Sequence, residues 1–199
     1  MLMNLMQTLP PNESPDIVDA IIRLFEIGRR RDYSMNSVSH TEHALQAALL
    51  AEDQALAQSL VVAALVHDIG HFLEPWPRDI AHLGTNHCHE QLGSDWLARV
   101  FGPEVTEPVR LHVAARRYLC AEDAGYLNSL SPSSLRSLEL QGGPMSRAKM
   151  AEFERETYFD EALKLCRIDE ASKKPGMTLP DIQDCRGWLE SMLPYHARS

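Results

Sequence analysis

The sequence has little cysteine and fewer basic than acidic residues. Its four cysteines form no CxxC pair, which argues against a zinc ribbon or a thioredoxin-type site and predicts free thiols. The 19 basic residues against 28 acidic ones give a net charge of −9, which argues against nucleic acid as a partner. No run approaches the roughly 20 apolar residues of a membrane span, and the first residues lack the features of a secretion signal. We therefore expect a cytoplasmic protein.

Strand patterns are also scarce, because no segment shows strict alternation of apolar and polar residues. Most long segments instead carry apolar residues at helical spacing, and several begin with a capping signal, such as Ser14 before Pro15 or the box formed by Ser39 and Glu42. We expect helices over 15–30, 39–57, 60–69 and 87–101, from 103 and from 131 onward, and over 158–171 and 180–193. The fold class is predicted to be all-α, with a tail over 1–13 and one helical domain over 14–199.

The run VHDIGH, residues 66–71, is the first indication of chemistry among the nine histidines. Adjacent residues of a helix project about 100° apart. His67 and Asp68 can therefore bind one metal at a helix end, while Asp68 offers its second oxygen to another. His71 lies one turn after His67, so it could be a further ligand, a partner of a ligand or a donor to a bound anion.

Other candidate ligands lie on separate predicted helices: His43 before the run, His89 and His112 after it, and Asp169 near the end. One metal would need only His43, His67, Asp68 and Asp169. The two further histidines suit a second metal with Asp68 as the bridge, although His87 competes with His89 for this role. Four imidazoles and two carboxylates with open positions suit iron, manganese or cobalt.

The order of one His, a His-Asp pair, two His and a final Asp resembles that of the HD-domain superfamily. Most of its members resemble phosphohydrolases, in which metal-bound water attacks a phosphoester; a minority are mixed-valent Fe(II)/Fe(III) oxygenases. The runs HVAARRYL (112–119), YLNSLSPSSLRSLELQGGPM (126–145) and LKLCRIDEASKK (163–174) resemble oxygenases that cleave the carbon–phosphorus bond of 1-hydroxyphosphonates. This likeness extends from about residue 32 to residue 180. It implies a single HD domain, two iron ions, O2 as co-substrate, and phosphate and a carboxylate as products.

The resemblance also implies roles for particular residues. His43, His67, Asp68 and Asp169 match ligands of one iron, and Asp68, His89 and His112 match ligands of the other. His71 and Ser134 match residues that hydrogen-bond the phosphonate, and Gln141 of QGGPM joins them as an expected substrate contact. Arg116 stands in place of a lysine and can bind phosphonate oxygens with two nitrogens. Tyr33 matches a tyrosine that occupies an iron position until substrate displaces it.

Two departures from this pattern affect the predicted substrate. Asn36 stands where the family has a glutamate that pairs with a primary ammonium, and Cys166 stands where it has an arginine. A quaternary ammonium has no N–H and prefers an aromatic surround, to which Tyr33, Phe72 or Trp76 could contribute. The sequence therefore predicts (R)-1-hydroxy-2-(trimethylammonio)ethylphosphonate as substrate and glycine betaine and phosphate as products.

Three alternatives stay open. 2-Amino-1-hydroxyethylphosphonate, giving glycine and phosphate, is the alternative within the class. A metal-dependent phosphohydrolase acting on a nucleotide is the alternative of another class, since a fold does not fix a function. A ligand-sensing module without catalysis is the third, and it is disfavoured because all six ligands are present. The sequence predicts no oligomeric state.

Overall fold

The computed structural model describes residues 14–28, 32–33, 38–73 and 88–194. Its elements, in chain order, are α1 (Ser14–Gly28), β1 (Asp32–Tyr33), β2 (Val38–Ser39), α2 (His40–Asp53), α3 (Gln58–Val66), α4 (Gly70–Leu73), α5 (His89–Leu97), α6 (Pro103–Glu122), α7 (Ala124–Ser129), α8 (Pro132–Leu140), α9 (Arg147–Phe153), α10 (Phe159–Ala171), a 3-10 helix (Ile182–Cys185) and α11 (Arg186–Ser191). The predicted all-α class is confirmed. The two short strands pair antiparallel, with Asp32 opposite Ser39.

Helix starts follow the capping signals of the sequence. Ser39 Oγ accepts a hydrogen bond from the backbone N–H of Glu42 at 3.1 Å, and the Glu42 carboxylate accepts one from Ser39 N–H at 2.6 Å. This is the predicted capping box at the start of α2. Ser131 caps α8 through the N–H of Ser134, with Pro132 in the first turn, also as predicted. These caps fix where two site-bearing segments begin.

Several predicted boundaries are wrong. Helix α2 ends at Asp53 rather than residue 57, in a turn where Ala55 has φ 53°. In place of the predicted helix over 60–69, α3 begins at Gln58 and ends at Val66, and a turn over 67–69 leads into α4. The predicted helix over 87–101 starts at His89, after Cys88 with φ 46°, and ends at Leu97. The last segment is a 3-10 helix followed by α11, which ends at Ser191.

The core has two apolar clusters that share α6 and α10. In the first, α1, α2 and α3 pack around residues such as Ile21 and Leu65, which are both fully buried. In the second, α6, α8 and α10 pack around Leu119, Leu138 and Ala162. Helix α6 contacts α3, α5 and α10, so these elements converge where it passes between them. Among the described helices, none is long and apolar enough to cross a lipid bilayer.

Candidate metal centre

Six metal-ligand candidates converge from five segments of the chain. His43 lies on α2, His67 and Asp68 follow the end of α3, and His89 is the first residue of α5. The set is completed by His112 from the middle of α6 and Asp169 from the last turn of α10. All six are buried. The structure thus brings together every predicted ligand.

The first cluster consists of His43, His67 and Asp169, with one oxygen of Asp68 beside them. The Nε2 atoms of His43 and His67 lie 3.2 Å apart, and His43 Nε2 lies 3.2 Å from Asp169 Oδ1. Asp68 Oδ2 lies 3.5 Å from His67 Nε2 and 3.8 Å from His43 Nε2. At metal–nitrogen distances of about 2.1 Å, neighbouring ligands at right angles are about 3 Å apart. These separations therefore fit one ion.

The second cluster uses the other oxygen of Asp68. Asp68 Oδ1 lies 3.4 Å from His89 Nε2 and 3.9 Å from His112 Nε2, and those two nitrogens are 3.2 Å apart. His71 Nε2 also lies 3.9 Å from Asp68 Oδ1, and its ring stacks on that of His89 at a centroid distance of 4.0 Å. Asp68 therefore lies between two imidazole pairs, with one oxygen toward each.

Backbone carbonyls set the orientation of three ligand rings. The Nδ1 atoms of His43, His67 and His112 lie 2.7–2.9 Å from the carbonyl oxygens of Ser172, Ala64 and Val109, respectively. Each Nδ1 carries the proton in such a pair, because a carbonyl can only accept. In the neutral ring, the lone pair is then on Nε2, which is the metal-binding arrangement.

The clusters consist of acceptors that face each other without a proton between them. Two unprotonated Nε2 atoms 3.2 Å apart, as in His43 and His67, repel unless a cation lies between them. Asp68 Oδ2 and Asp169 Oδ1 are buried and accept no hydrogen bond from a described residue, although the Lys173 ammonium lies 3.3 Å from Asp169 Oδ1. Buried acceptors without partners are costly. The side chains therefore fit metal ions at both clusters.

The carboxylates are ionised at neutral pH in this environment. Burial by itself raises the pKa of a carboxyl group, but His67 and the other surrounding imidazoles hold the pKa of Asp68 well below its usual range. Lys173 and Arg116 do the same for Asp169, again against the effect of burial. Both side chains are thus in the form that binds a metal.

Burial has the opposite effect on three of the imidazoles, because it lowers the pKa of His67, His71 and His112. Burial, then repulsion from His89 and His67, lowers the pKa of His112 to about 3. Burial also lowers the pKa of His67, despite the nearby carboxylates. Burial and His89 lower the pKa of His71 well below its ordinary value. Neutral imidazole is the form that a metal requires.

Gly70, the glycine of VHDIGH, allows the second cluster to form. A Cβ at Gly70 would overlap the carbonyl oxygen of His89 and lie 2.8 Å from its carbonyl carbon. A Cβ at Gly93 would lie 3.2 Å from Gly70 N. Two glycines thus permit the close approach of α4 to α5 that stacks His71 on His89.

A basic group lies beside the first cluster. The Arg116 guanidinium pairs with Asp169 Oδ2, and Lys173 Nζ lies 3.3 Å from Asp169 Oδ1. Lys173 Nζ also donates to Glu170 Oε2 at 2.7 Å and to Ser134 Oγ at 2.9 Å. The Lys173 side chain is only 6% exposed. Sequence analysis missed this lysine, although its position four residues after Asp169, on the same face of α10 and of its C-terminal turn, was a signal.

The structure describes only some of the other predicted substrate contacts. Ser134 is buried beside Lys173, and its hydroxyl donates to Glu170 Oε2 at 2.6 Å. His71 is the most accessible imidazole of the second cluster, with a side chain 34% exposed. Gln141 follows α8, and its buried Oε1 has no donor among the described residues. The side chain of Tyr33 and all of Asn36, like His87 and Trp76, lie outside the described residues.

Comparison with known proteins agrees with this geometry. Residues 41–140 match the family model described as HD domain. The chain is 43% identical over 180 residues to hydroxymethylphosphonate dioxygenase of Gimesia maris, covering 89% of this chain and 90% of that one. It is 36% identical over 181 residues to the glycine-betaine-forming 1-hydroxy-2-(trimethylamino)ethylphosphonate dioxygenase of Leisingera caerulea, covering 91% and 92% of the two chains. It is also 35% identical over 159 residues to an uncharacterised protein of Acanthamoeba polyphaga mimivirus, covering 78% and 72%.

Proposed function

Because this chain belongs to the HD-domain family of oxygenases that contains these two phosphonate dioxygenases, we propose that it uses O2 to break the carbon–phosphorus bond of a small 1-hydroxyphosphonate. The observation that carries the proposal is the position of Asp68 between two imidazole pairs, together with a buried arginine and lysine that pair with Asp169 of the first cluster. The first feature suits two metal ions and the second suits an anion. A phosphonate oxygenase needs both.

The metals in this proposal are two iron ions. His43, His67, Asp68 and Asp169 would hold one, and Asp68, His89 and His112 the other. When bound, the pair would supply the electron transfer to O2 and a Lewis-acidic contact for the hydroxyl of the substrate. The nitrogen and oxygen donors suit iron, and no thiol lies among them.

The residues beside the metals would bind and orient the phosphonate. Arg116 and Lys173 would donate charge-assisted hydrogen bonds to the phosphonate, and Arg116 can contact two oxygens at once. The neutral imidazole of His71, beside Asp68 and His89 in the second cluster, can donate one hydrogen bond. Ser134 can donate to a phosphonate oxygen only after it releases Glu170, the acceptor of its hydroxyl proton. Substrate binding is thus expected to rearrange the contacts among Ser134, Lys173 and Glu170.

We propose hydroxymethylphosphonate as the first substrate to test. Its reaction would take up one O2, break the carbon–phosphorus bond and give formate, phosphate and one proton. Asn36 supplies no carboxylate that could pair with a primary ammonium. The lack of a carboxylate is compatible with a substrate that has no nitrogen and equally with one that carries a quaternary ammonium. The relative that acts on hydroxymethylphosphonate shares more identical residues with this chain than the trimethylamino enzyme does.

The trimethylated substrate predicted from the sequence remains the second candidate. It is supported by the 36% identical relative and by the same residue, Asn36. The two candidates differ in one respect, because only the trimethylated compound needs space and an apolar or aromatic surround for its cation. The primary-amine compound is the third and is disfavoured by Asn36.

The test is phosphate release by iron-loaded protein, with and without air, from the three phosphonates in parallel. Air-dependent release supports the oxygenase, and the fastest compound identifies the substrate. Release of phosphate from nucleotides without air, and none from phosphonates, would favour the phosphohydrolase instead. In Asn36→Glu, turnover of the primary-amine compound should rise relative to the other two. An unchanged preference would remove Asn36 from the substrate argument.

A further inference from the structure

We propose that Glu90 is a positioning residue that strengthens His89 as a ligand and so raises the metal affinity of the second cluster. The inference rests on the two-metal centre proposed above but concerns a residue outside its ligand set. Glu90 follows His89 in the first turn of α5. Its carboxylate oxygen Oε2 lies 3.5 Å from His89 Nδ1.

The four ligand imidazoles differ in the group that their Nδ1 atom faces. Three rings direct Nδ1 to backbone carbonyls, whereas the Nδ1 of His89 faces the carboxylate of Glu90. The Glu90 side chain is 14% exposed, and its Oε2 is buried without a hydrogen-bond donor in the described part of the chain. A buried carboxylate oxygen needs a hydrogen-bond donor, and the ring N–H of His89 is the donor group beside it.

The physical effect is on the other nitrogen of the ring. A carboxylate that accepts from Nδ1–H increases the electron density at Nε2 and makes the imidazole a stronger ligand. It also adds a negative charge that favours a more highly charged ion. The first cluster has its own extra carboxylate, Asp169, but Arg116 and Lys173 offset that charge. Only the second cluster therefore has an uncompensated acidic partner among the residues described here.

A purely structural role for Glu90 predicts something else. An acidic side chain in the first turn of a helix is stabilised by the helix dipole. Loss of that interaction lowers the stability of the protein but does not distinguish one metal site from the other. Asp95 is an exposed carboxylate on the same helix and accepts a hydrogen bond from Gln91 Nε2, so it provides a matched control for the loss of charge.

The experiment titrates metal-free wild-type protein, Glu90→Gln, Glu90→Asp and Asp95→Asn with Co(II), followed by calorimetry and visible absorption. In Glu90→Gln we expect one of the two sites to bind about 10–100-fold more weakly while the other is unchanged. Glu90→Asp, which keeps the charge, should recover part of the loss, and Asp95→Asn should match the wild type. In the iron-loaded proteins, the reduction potential of the pair should rise in Glu90→Gln only.

Three outcomes would overturn the proposal. Equal binding by wild type and Glu90→Gln at both sites would overturn it and leave the proposed function intact. So would an equal weakening of both sites together with lower thermal stability, which is the result of a structural role. A wild-type protein that binds a single Co(II) would overturn the two-metal centre, and this inference with it.

Discussion

Gly70→Ala tests whether the close approach of α4 and α5 builds the second cluster. The added Cβ would overlap the carbonyl oxygen of His89 and lie 2.8 Å from its carbonyl carbon. Carbon atoms in contact are normally about 3.5–4.0 Å apart, so one backbone has to move by about 0.7 Å or more. The obstacle is backbone rather than a flexible side chain. Whichever element moves, the distance between Asp68 and His89 changes, and metal ligation tolerates only about 0.2 Å.

The expected result is loss of one metal ion per chain from a protein that is still folded. Overpacking of this kind costs about 1–3 kcal/mol, which corresponds to a fall in Tm of about 2–4 °C per kcal/mol in a chain of this length. Metal content by mass spectrometry and a thermal melt measure both effects. Gly187→Ala is the control, since Gly187 is exposed and a Cβ there meets nothing within 4 Å. Wild-type metal content and stability in Gly70→Ala would refute the reasoning.

The remaining predictions concern the ligands, the anion and pH. His89→Ala should bind one metal instead of two and lose air-dependent phosphate release. Full activity in this variant would contradict the two-iron proposal. Lys173→Met should raise KM for the phosphonate about 10–100-fold, as expected for a lost charged hydrogen bond. Lys174→Met, at the exposed neighbouring lysine, should leave KM unchanged. Equal effects of the two substitutions would contradict the role of Lys173. The pKa of His112 is about 3 when folded and 6.5 when unfolded. The unfolded chain thus binds more protons between these values, and metal-free protein should lose up to about 5 kcal/mol as pH falls from 6.5 toward 3. Urea unfolding at pH 7.5, 6 and 5 checks this, and unchanged stability would refute it.

The ligand set could be predicted because its chemistry is visible in residue type and order. A His-Asp pair beside further histidines on separate helices is rare without a metal, and buried acceptors such as Asp68 and Asp169 need a cation. Helix boundaries were less accessible to sequence reasoning. The break after Val66 lies in the apolar run over 60–69, and the apolar pattern does not mark it; the close approach of Gly70 to the backbone of His89, just after the break, is a tertiary contact.

The anion side of the site was only partly predictable. Arg116 was predicted because it stands in place of a lysine of the resembled oxygenases. Lys173 differs from Lys174 in the sequence only by its spacing of four residues from Asp169, and a lysine pair is usually solvent-exposed. Lys173 turns inward because α10 ends at Ala171 and Ser172 is tied back, its carbonyl to His43 and its hydroxyl to the carbonyl of Ile168. Helices α7 and α9 were not predicted either, since six or seven residues show no clear apolar stripe.

Cys166 stands where the resemblance of the sequence implies an arginine, and this difference affects the balance of charge at the site. Cys166 is fully buried with its Sγ 3.2 Å from the hydroxyl of Tyr126, and burial raises the pKa of its thiol to about 12. This position is therefore neutral. Arg116 and Lys173 then face two carboxylates, Asp169 and Glu170, so that the charges of the four side chains cancel. A doubly charged phosphonate adds an excess of negative charge, which must be met by the metal ions. Binding of the substrate should therefore be coupled to binding of the metals.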